Sequence, residues 1–271
     1  MKRIIIGLIL VGAALVSISS LFYHNRMSSE TFYTTKNVKK FVLDDRNMPV
    51  EVVGVSGTKT SIRYKKSRDI KYNIKQTSNT LTLERRRTFG IGFSLFNFGE
   101  RDQKIVIELP KAALEELQIE TTNGNVTAKN LELENFDVET SNSKMTLMEI
   151  DSDTIDAETS NGKVELARMK FDDGTFETSN SKMDLQDLSF SEGEFQTSNG
   201  KITLSNLTPE KSLSLKTSNA KINGSVSGEK EEFSIDSKTS NGSNNLENSE
   251  GSPKELEVKT SNGSINIAFE R

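Results

Sequence analysis

From residue 121 onward, apolar and polar positions alternate in short runs that stop and restart at regular intervals. Phe136, Val138 and Thr140 share one parity, as do Ile155, Ala157 and Thr159, Leu213, Leu215 and Thr217, and Leu256, Val258 and Thr260. This is the period of two expected of a strand with one buried face. After a short polar break the alternation resumes with shifted parity, at Met145 and Leu147, Val164 and Leu166, Ile202 and Leu204, and Ile265 and Ile267. A third apolar point (Ile150, Met169, Leu188 or Leu207) precedes the next break. A parity shift across a short fixed segment predicts a chain corner, and the Asn and Gly found there predict a left-handed backbone.

The breaks are themselves a repeat. A Thr-(Ser/Thr)-Asn-(Gly/Ser/Ala) tetrad begins at Thr121, Thr140, Thr159, Thr178, Thr197, Thr217, Thr239 and Thr260, in steps of 19 to 22 residues. Coils stacked in parallel explain why one corner keeps one residue type, because each Asn then lies about 4.8 Å above its counterpart. The predicted fold is all-β: a parallel β-helix or β-solenoid of about eight coils of 19–22 residues. Asn123, Asn142, Asn161, Asn180, Asn199, Asn219, Asn241 and Asn262 form its corner ladder, read as an inward column joined by side-chain amide hydrogen bonds.

Residues 27–120 lack the period but carry strand-like runs, including Lys39–Leu43, Val50–Val55 and Ile105–Leu109, with Thr77-Ser78-Asn79-Thr80 as one echo of the tetrad. They predict an irregular β region capping the solenoid of residues 121–271, since an open end exposes unpaired backbone groups. Within it, Phe89, Phe93, Phe96 and Phe98 are interleaved with Gly90, Gly92 and Gly99. They are read either as apolar cover for the first coil or as a contact loop for a partner or lipid surface.

Residues 1–26 are of another kind. Met1-Lys2-Arg3 precede nineteen uncharged residues, Ile4 to Phe22. A helix of that length spans roughly 28 Å, close to the hydrocarbon thickness of a bilayer. Lys2 and Arg3 predict a cytoplasmic N-terminus with everything after His24 extracytoplasmic. A cleaved signal peptide with Ser17–Ser20 as its exit is the competing reading, and the length favours a retained anchor.

Composition then removes chemistry. There is no Cys and one histidine, His24, which excludes disulfides, thiolate metal sites and a Ser-His-Asp triad. Residues 121–271 hold 15 Lys and Arg against 27 Asp and Glu, which speaks against nucleic acid as a ligand. No cofactor is expected.

The segment Ile105-Val106-Ile107-Glu108-Leu109-Pro110, followed by Leu117-Gln118-Ile119-Glu120-Thr121-Thr122-Asn123-Gly124-Asn125-Val126, together with the later tetrads, resembles a bacterial family of unknown function labelled "putative adhesins". Within it the chain is most similar to LiaG-type membrane-anchored proteins of cell-envelope-stress operons. The resemblance implies a β-solenoid without established activity. Ser143, Ser181 and Ala220 depart from the family's corner glycine.

Two outward columns are candidates for chemistry. Lys144, Lys163, Lys182, Lys201 and Lys221 recur two residues after the Asn, a row about 19 Å long at strand spacing. They read as a solvated surface paired with acidic neighbours or, more sharply, as a stripe for an anionic polymer. Glu139, Glu158, Glu177, Gln196, Lys216, Lys238 and Lys259 turn from acidic to basic along the chain. An enzyme acting on an anionic polysaccharide would need clustered carboxylates. Asp151 and Asp153, Asp172 and Asp173, and Asp44 and Asp45 look scattered over different phases, with no basic partner in column. Ice binding through Thr columns would need those Thr to face outward, whereas their phase is inward. The expectation is a non-enzymatic protein that binds or scaffolds at the cell envelope. Its partner would be a wall polymer, a membrane lipid or a membrane protein, and oligomers could form through the open end of the solenoid.

Overall fold

A computed structural model of the chain describes residues 28–67, 70–86, 103–111 and 114–270. The membrane-anchor reading of residues 1–26 and the Phe89, Phe93, Phe96 and Phe98 loop lie outside the described residues. Among the described residues, no helix is long and apolar enough to cross a membrane.

Among the described residues, seventeen strands join in one sheet wound into a solenoid. In the N-terminal part these are β1 (Ser28–Thr34), β2 (Lys40–Asp44), β3 (Val50–Val55), β4 (Thr60–Lys66), β5 (Tyr72–Thr77), β6 (Thr80–Arg85), β7 (Ile105–Pro110) and β8 (Glu116–Thr121). Five long bent strands form the middle: β9 (Val126–Thr140), β10 (Met145–Thr159), β11 (Val164–Thr178), β12 (Met183–Thr197) and β13 (Ile202–Thr217). The C-terminal part holds β14 (Ile222–Ser227), β15 (Phe233–Thr239), β16 (Lys254–Thr260) and β17 (Ile265–Glu270). Each long strand turns twice, so a coil has three sides, and parallel pairing carries every residue onto its counterpart 19 positions later. The column Thr121, Thr140, Thr159, Thr178, Thr197, Thr217 and Thr260 is buried and faces inward, not outward as ice binding through it would need. Hydroxyls of this column donate to backbone oxygens in the neighbouring coil, as from Thr178 to Gly162 (3.0 Å), Thr197 to Ser181 (3.1 Å) and Thr217 to Gly200 (3.0 Å). Threonine suits the position because it is β-branched and can satisfy a carbonyl where the strand bends.

Packing is balanced coil by coil. In two successive coils Phe171 and Phe176 lie over Phe190 and Phe195, both pairs stacked at 5.0 Å between ring centres. The position between them is Gly174 or Gly193, where neighbouring coils hold Phe136, Ile155 or Leu213. A Cβ on Gly174 would come within 2.5 Å of the Phe171 ring, so the two large rings require the glycine.

The order of coils departs from chain order at both ends. Along the side before the Asn corner the strands run β5-β6-β2-β8-β9-β10-β11-β12-β13-β16-β15, and after it β1-β4-β7-β3-β9-β10-β11-β12-β13-β14-β17. The coil of β2 and β3 is thus sandwiched between β6–β7 and β8–β9, and the regular stack reaches back past residue 121. At the other end β16 slots between β13 and β15, which precede it in the chain. Thr77-Ser78-Asn79-Thr80 is the turn of the antiparallel β5–β6 hairpin, not a solenoid corner.

The C-terminal end is covered. Residues 240–252 fold across it and bury Leu246. Asn245 exchanges hydrogen bonds with both backbone groups of Ile267 (2.8 and 3.0 Å), and Ser249 forms an antiparallel bridge to Ile235. The end is thus not simply open: the backbone groups of Ile235 and Ile267, which stacking of copies would use, are already occupied.

Candidate functional site

The repeated corner is the part of the surface that the fold presents most regularly. Its asparagines do form a ladder, but on the outside. All eight expected residues are exposed, which corrects the inward reading: the strand alternation breaks at the tetrad, so Thr and Gly point inward while Ser and Asn point out. Each amide donates to the next Asn oxygen at 2.7–2.9 Å, in the order Asn241, Asn262, Asn219, Asn199, Asn180, Asn161, Asn142, Asn123. Asn123 then donates to Asn47 at 2.7 Å, a ninth member supplied by the corner between β2 and β3. Bonds of this kind contribute about 0.5–1.5 kcal/mol each.

The left-handed residues lie elsewhere. Asn130, Glu149, Arg168, Asp187 and Asn206, 19 positions apart, have φ between 52° and 59° at the second corner. For residues other than Asn and Asp this backbone costs roughly 1–2 kcal/mol. Neighbouring coils hold it through contacts such as Arg168 to Glu149 (2.9 Å) and Asn206 to Asp187 (2.9 Å). The Asn at 130 and 206, one residue before the third apolar point, was the available signal. The tetrad glycines serve close approach instead. A Cβ on Gly162 would fall 1.7 Å from the Ser143 carbonyl oxygen, whereas Ser143, Ser181 and Ala220 occupy intervening coils. Gly162→Ala is therefore expected to lower stability by about 1–3 kcal/mol. Ala220→Gly in the same column should cost no more than about 0.5–1 kcal/mol. Urea unfolding of the two variants side by side checks this, and equal midpoints would refute it.

The lysine column divides. Lys144 pairs with Glu165 (2.5 Å), Lys163 pairs with Glu165 and with Asp184 (2.5 Å), and Lys182 pairs with Asp184 (3.2 Å). Burial works against the charge of Lys163, but its hydrogen bonds to Asp184 and Glu165 raise its pKa above the usual lysine value. Lys201 and Lys221 sit beside Thr203 and Asn223 and make no ion pair among the described residues. The five residues are thus not one uniform stripe.

Across the ladder, six carboxylates stand in register: Glu84, Asp44, Glu120, Glu139, Glu158 and Glu177. Partial burial, then the Glu158, Glu194 and Asp156 carboxylates, raise the Glu177 pKa. Asp137 is raised by burial and by Asp156 and Glu139. The column continues through Gln196 to Lys216, Lys259 and Lys238, with Lys259 in the middle because β16 lies between β13 and β15.

The scattered aspartates are also partly regrouped. Asp153 and Asp172 fall at the same point of adjacent coils, and Asp151 lies in register with Lys170, contrary to the expectation of unrelated phases without a basic partner. Asp45 is buried and bonded to Tyr72 (2.7 Å), whereas Asp172 and Asp173 are exposed. Among the described residues, no group of three or more His, Asp or Glu is placed to hold a metal ion.

No curated protein matches the chain. Among solved structures it is similar to a "putative adhesin" of Bacteroides fragilis, at 13% identity and a TM-score of 0.51, covering 90% of this chain and 97% of that one. A second "putative adhesin", from Parabacteroides merdae, shares 10% identity with a TM-score of 0.44 over 90% of this chain and 96% of that one. The first of these likenesses supports the fold. The family description matches from the β2–β3 coil to the last strand, over residues 38–269, and on that match the chain belongs to the Toastrack DUF4097 family.

Proposed function

We propose that the protein is a non-enzymatic solenoid, anchored in the membrane by residues 1–26, that binds or scaffolds at the outer side of a bacterial cell envelope. The observation that carries this reading is the corner ridge, where exposed Asn side chains recur at strand spacing over nine coils, preceded by Ser in seven of them. A straight array of identical polar groups fits an extended partner with its own repeat better than a small substrate, which needs a concave pocket. The apolar run Ile4 to Phe22 behind Lys2 and Arg3 supports the location, and the likeness to LiaG-type proteins supports a part in the response to envelope stress. The apolar loop with Phe89, Phe93, Phe96 and Phe98 adds a second contact in this reading.

The test is topological. In intact cells, added protease should degrade the chain beyond His24 while a tag at Met1 stays protected. Recovery of the whole chain from the cytosol would overturn the reading. The alternative, an enzyme acting on an anionic polysaccharide, rests on Asp153, Asp172 and Asp173 gathered at the third corner. Polysaccharide turnover that is lost on Asp172→Asn or Asp173→Asn would establish it in place of the binding role.

A further inference from the structure

The corner ridge is not the same along its length. In the four coils from Glu120 to Lys182 the exposed corner reads Glu-Thr-Thr-Asn-Gly-Asn, Glu-Thr-Ser-Asn-Ser-Lys, Glu-Thr-Ser-Asn-Gly-Lys and Glu-Thr-Ser-Asn-Ser-Lys. In the four that follow in space it reads Gln-Thr-Ser-Asn-Gly-Lys, Lys-Thr-Ser-Asn-Ala-Lys, Lys-Thr-Ser-Asn-Gly-Ser and Lys-Thr-Ser-Asn-Gly-Ser, with five lysines and no acid. Register places Lys216, Lys259 and Lys238 on consecutive coils, about 10 Å from first to last at strand spacing. Exposed hydroxyls of Ser218, Ser261 and Ser240 run beside them, and the two columns line a groove of about 440 Å³. Lys201 and Lys221 stand on the opposite flank of the Asn ladder.

Within the group, Lys216 and Lys259 are already partnered, by Glu194 (3.0 Å) and Glu257 (2.9 Å) and by Asp236 (2.8 Å) and Glu257. Glu194, Glu257 and Asp236 lie on the strand side, away from the ridge. Lys201, Lys221 and Lys238 make no ion pair among the described residues. Ammonium and hydroxyl donors aimed from both flanks of a narrow ridge, with amide groups between them, match a thread of phosphate oxygens.

We propose that this C-terminal half of the ridge binds a linear chain of linked phosphate groups. The inference rests on the envelope-binding reading and names the class of ligand. A thread is favoured over an anionic bilayer by the charges around the strip. A flat surface of headgroups would also meet the carboxylates of Glu194, Glu257 and Asp236, and of the acidic column from Glu177 onward, whereas a thread along the ridge avoids them.

The experiment uses the full chain in neutral detergent with labelled linear polyphosphate as the probe, titrated over a range of salt. Binding is expected to weaken with salt, since each neutralised phosphate releases a counterion. The triple variant Lys201→Gln, Lys221→Gln, Lys238→Gln removes only unpaired cations, so its melting temperature should match the wild type. It should bind about tenfold more weakly, with a salt slope shallower by about 2, at roughly 0.7 per phosphate contact for a single strand. The comparison triple Lys144→Gln, Lys163→Gln, Lys182→Gln should keep its affinity. Equal losses in both triples, or no salt-sensitive retention of polyphosphate, would overturn the proposal. So would vesicles of anionic phospholipid that bind more tightly than polyphosphate through the same lysines. Failure here would leave the protease and tag result untouched, so the two readings fall separately.

Discussion

A chain ending at residue 253 loses its cooperative fold, and a synthetic peptide of residues 254–271 restores it: this is the expected result of removing β16 and β17. In most solenoids the last residues form the last coil, and trimming them shortens the stack. Here β16 lies between β13 and β15, so its loss opens a gap inside the stack and leaves β15 only its bridge to Ser249. Leu256, Val258, Ile265 and Ile267 are buried, and at about 1.5–3 kcal/mol each their loss removes roughly 6–12 kcal/mol. That is comparable with the whole stability of an ordinary domain, about 5–15 kcal/mol. Thermal unfolding followed by circular dichroism reads the loss, and recovery of the transition with added peptide shows that the slot is specific. A truncated chain that melts at the wild-type temperature would show that the inserted coil is dispensable.

Asp45→Ala is expected to cost about 3–5 kcal/mol, the loss that follows when one member of a buried ionic cluster is removed. The Asp45 side chain is fully buried at the corner between β2 and β3. Oδ1 accepts from the backbone N–H of Asn47 (2.8 Å) and Met48 (2.7 Å), shaping the turn, and Oδ2 accepts from the Tyr72 hydroxyl (2.7 Å). Arg85 approaches at 3.7 Å and is itself mostly covered. Burial first, and the Asp45 charge next, push the Tyr72 pKa up, so the phenol stays a donor. Truncation would strand Arg85, the phenol and two backbone N–H groups together. Asp45→Asn should fall between, because its amide oxygen can still hold the turn, and Tyr72→Phe should cost about 1 kcal/mol for one hydrogen bond. Urea unfolding of the three variants gives the ranking. An alanine variant as stable as the wild type would mean that the turn forms without the cluster.

Both predictions concern groups that the chain brings together from afar, and this marks what could be read in advance. Strand direction, the inward Thr column and the corner at each tetrad were legible because they depend on residues two to four positions apart. The period of 19 was legible because parallel stacking repeats one environment in every coil. The facing of Asn161 and its counterparts was misread. The alternation that sets inside and outside stops at the bend, and nothing local says where it restarts. The left-handed positions were sought at the Asn-Gly corner and lie at Glu149 and Arg168, where bonds between coils hold a backbone that those residues avoid on their own.

A β-solenoid, its coil length and the buried side of each strand can all be read along the chain, because apolar burial at period two is a local demand. The order in which the coils stack emerges only in the folded molecule. Successive coils offer nearly identical edges, so the choice falls to the end strands and the loop at residues 240–252, whose pairing is non-local. That choice places Lys259 between Lys216 and Lys238 and extends the Asn ladder to Asn47, so the charge pattern of the ridge follows from stacking order rather than chain order.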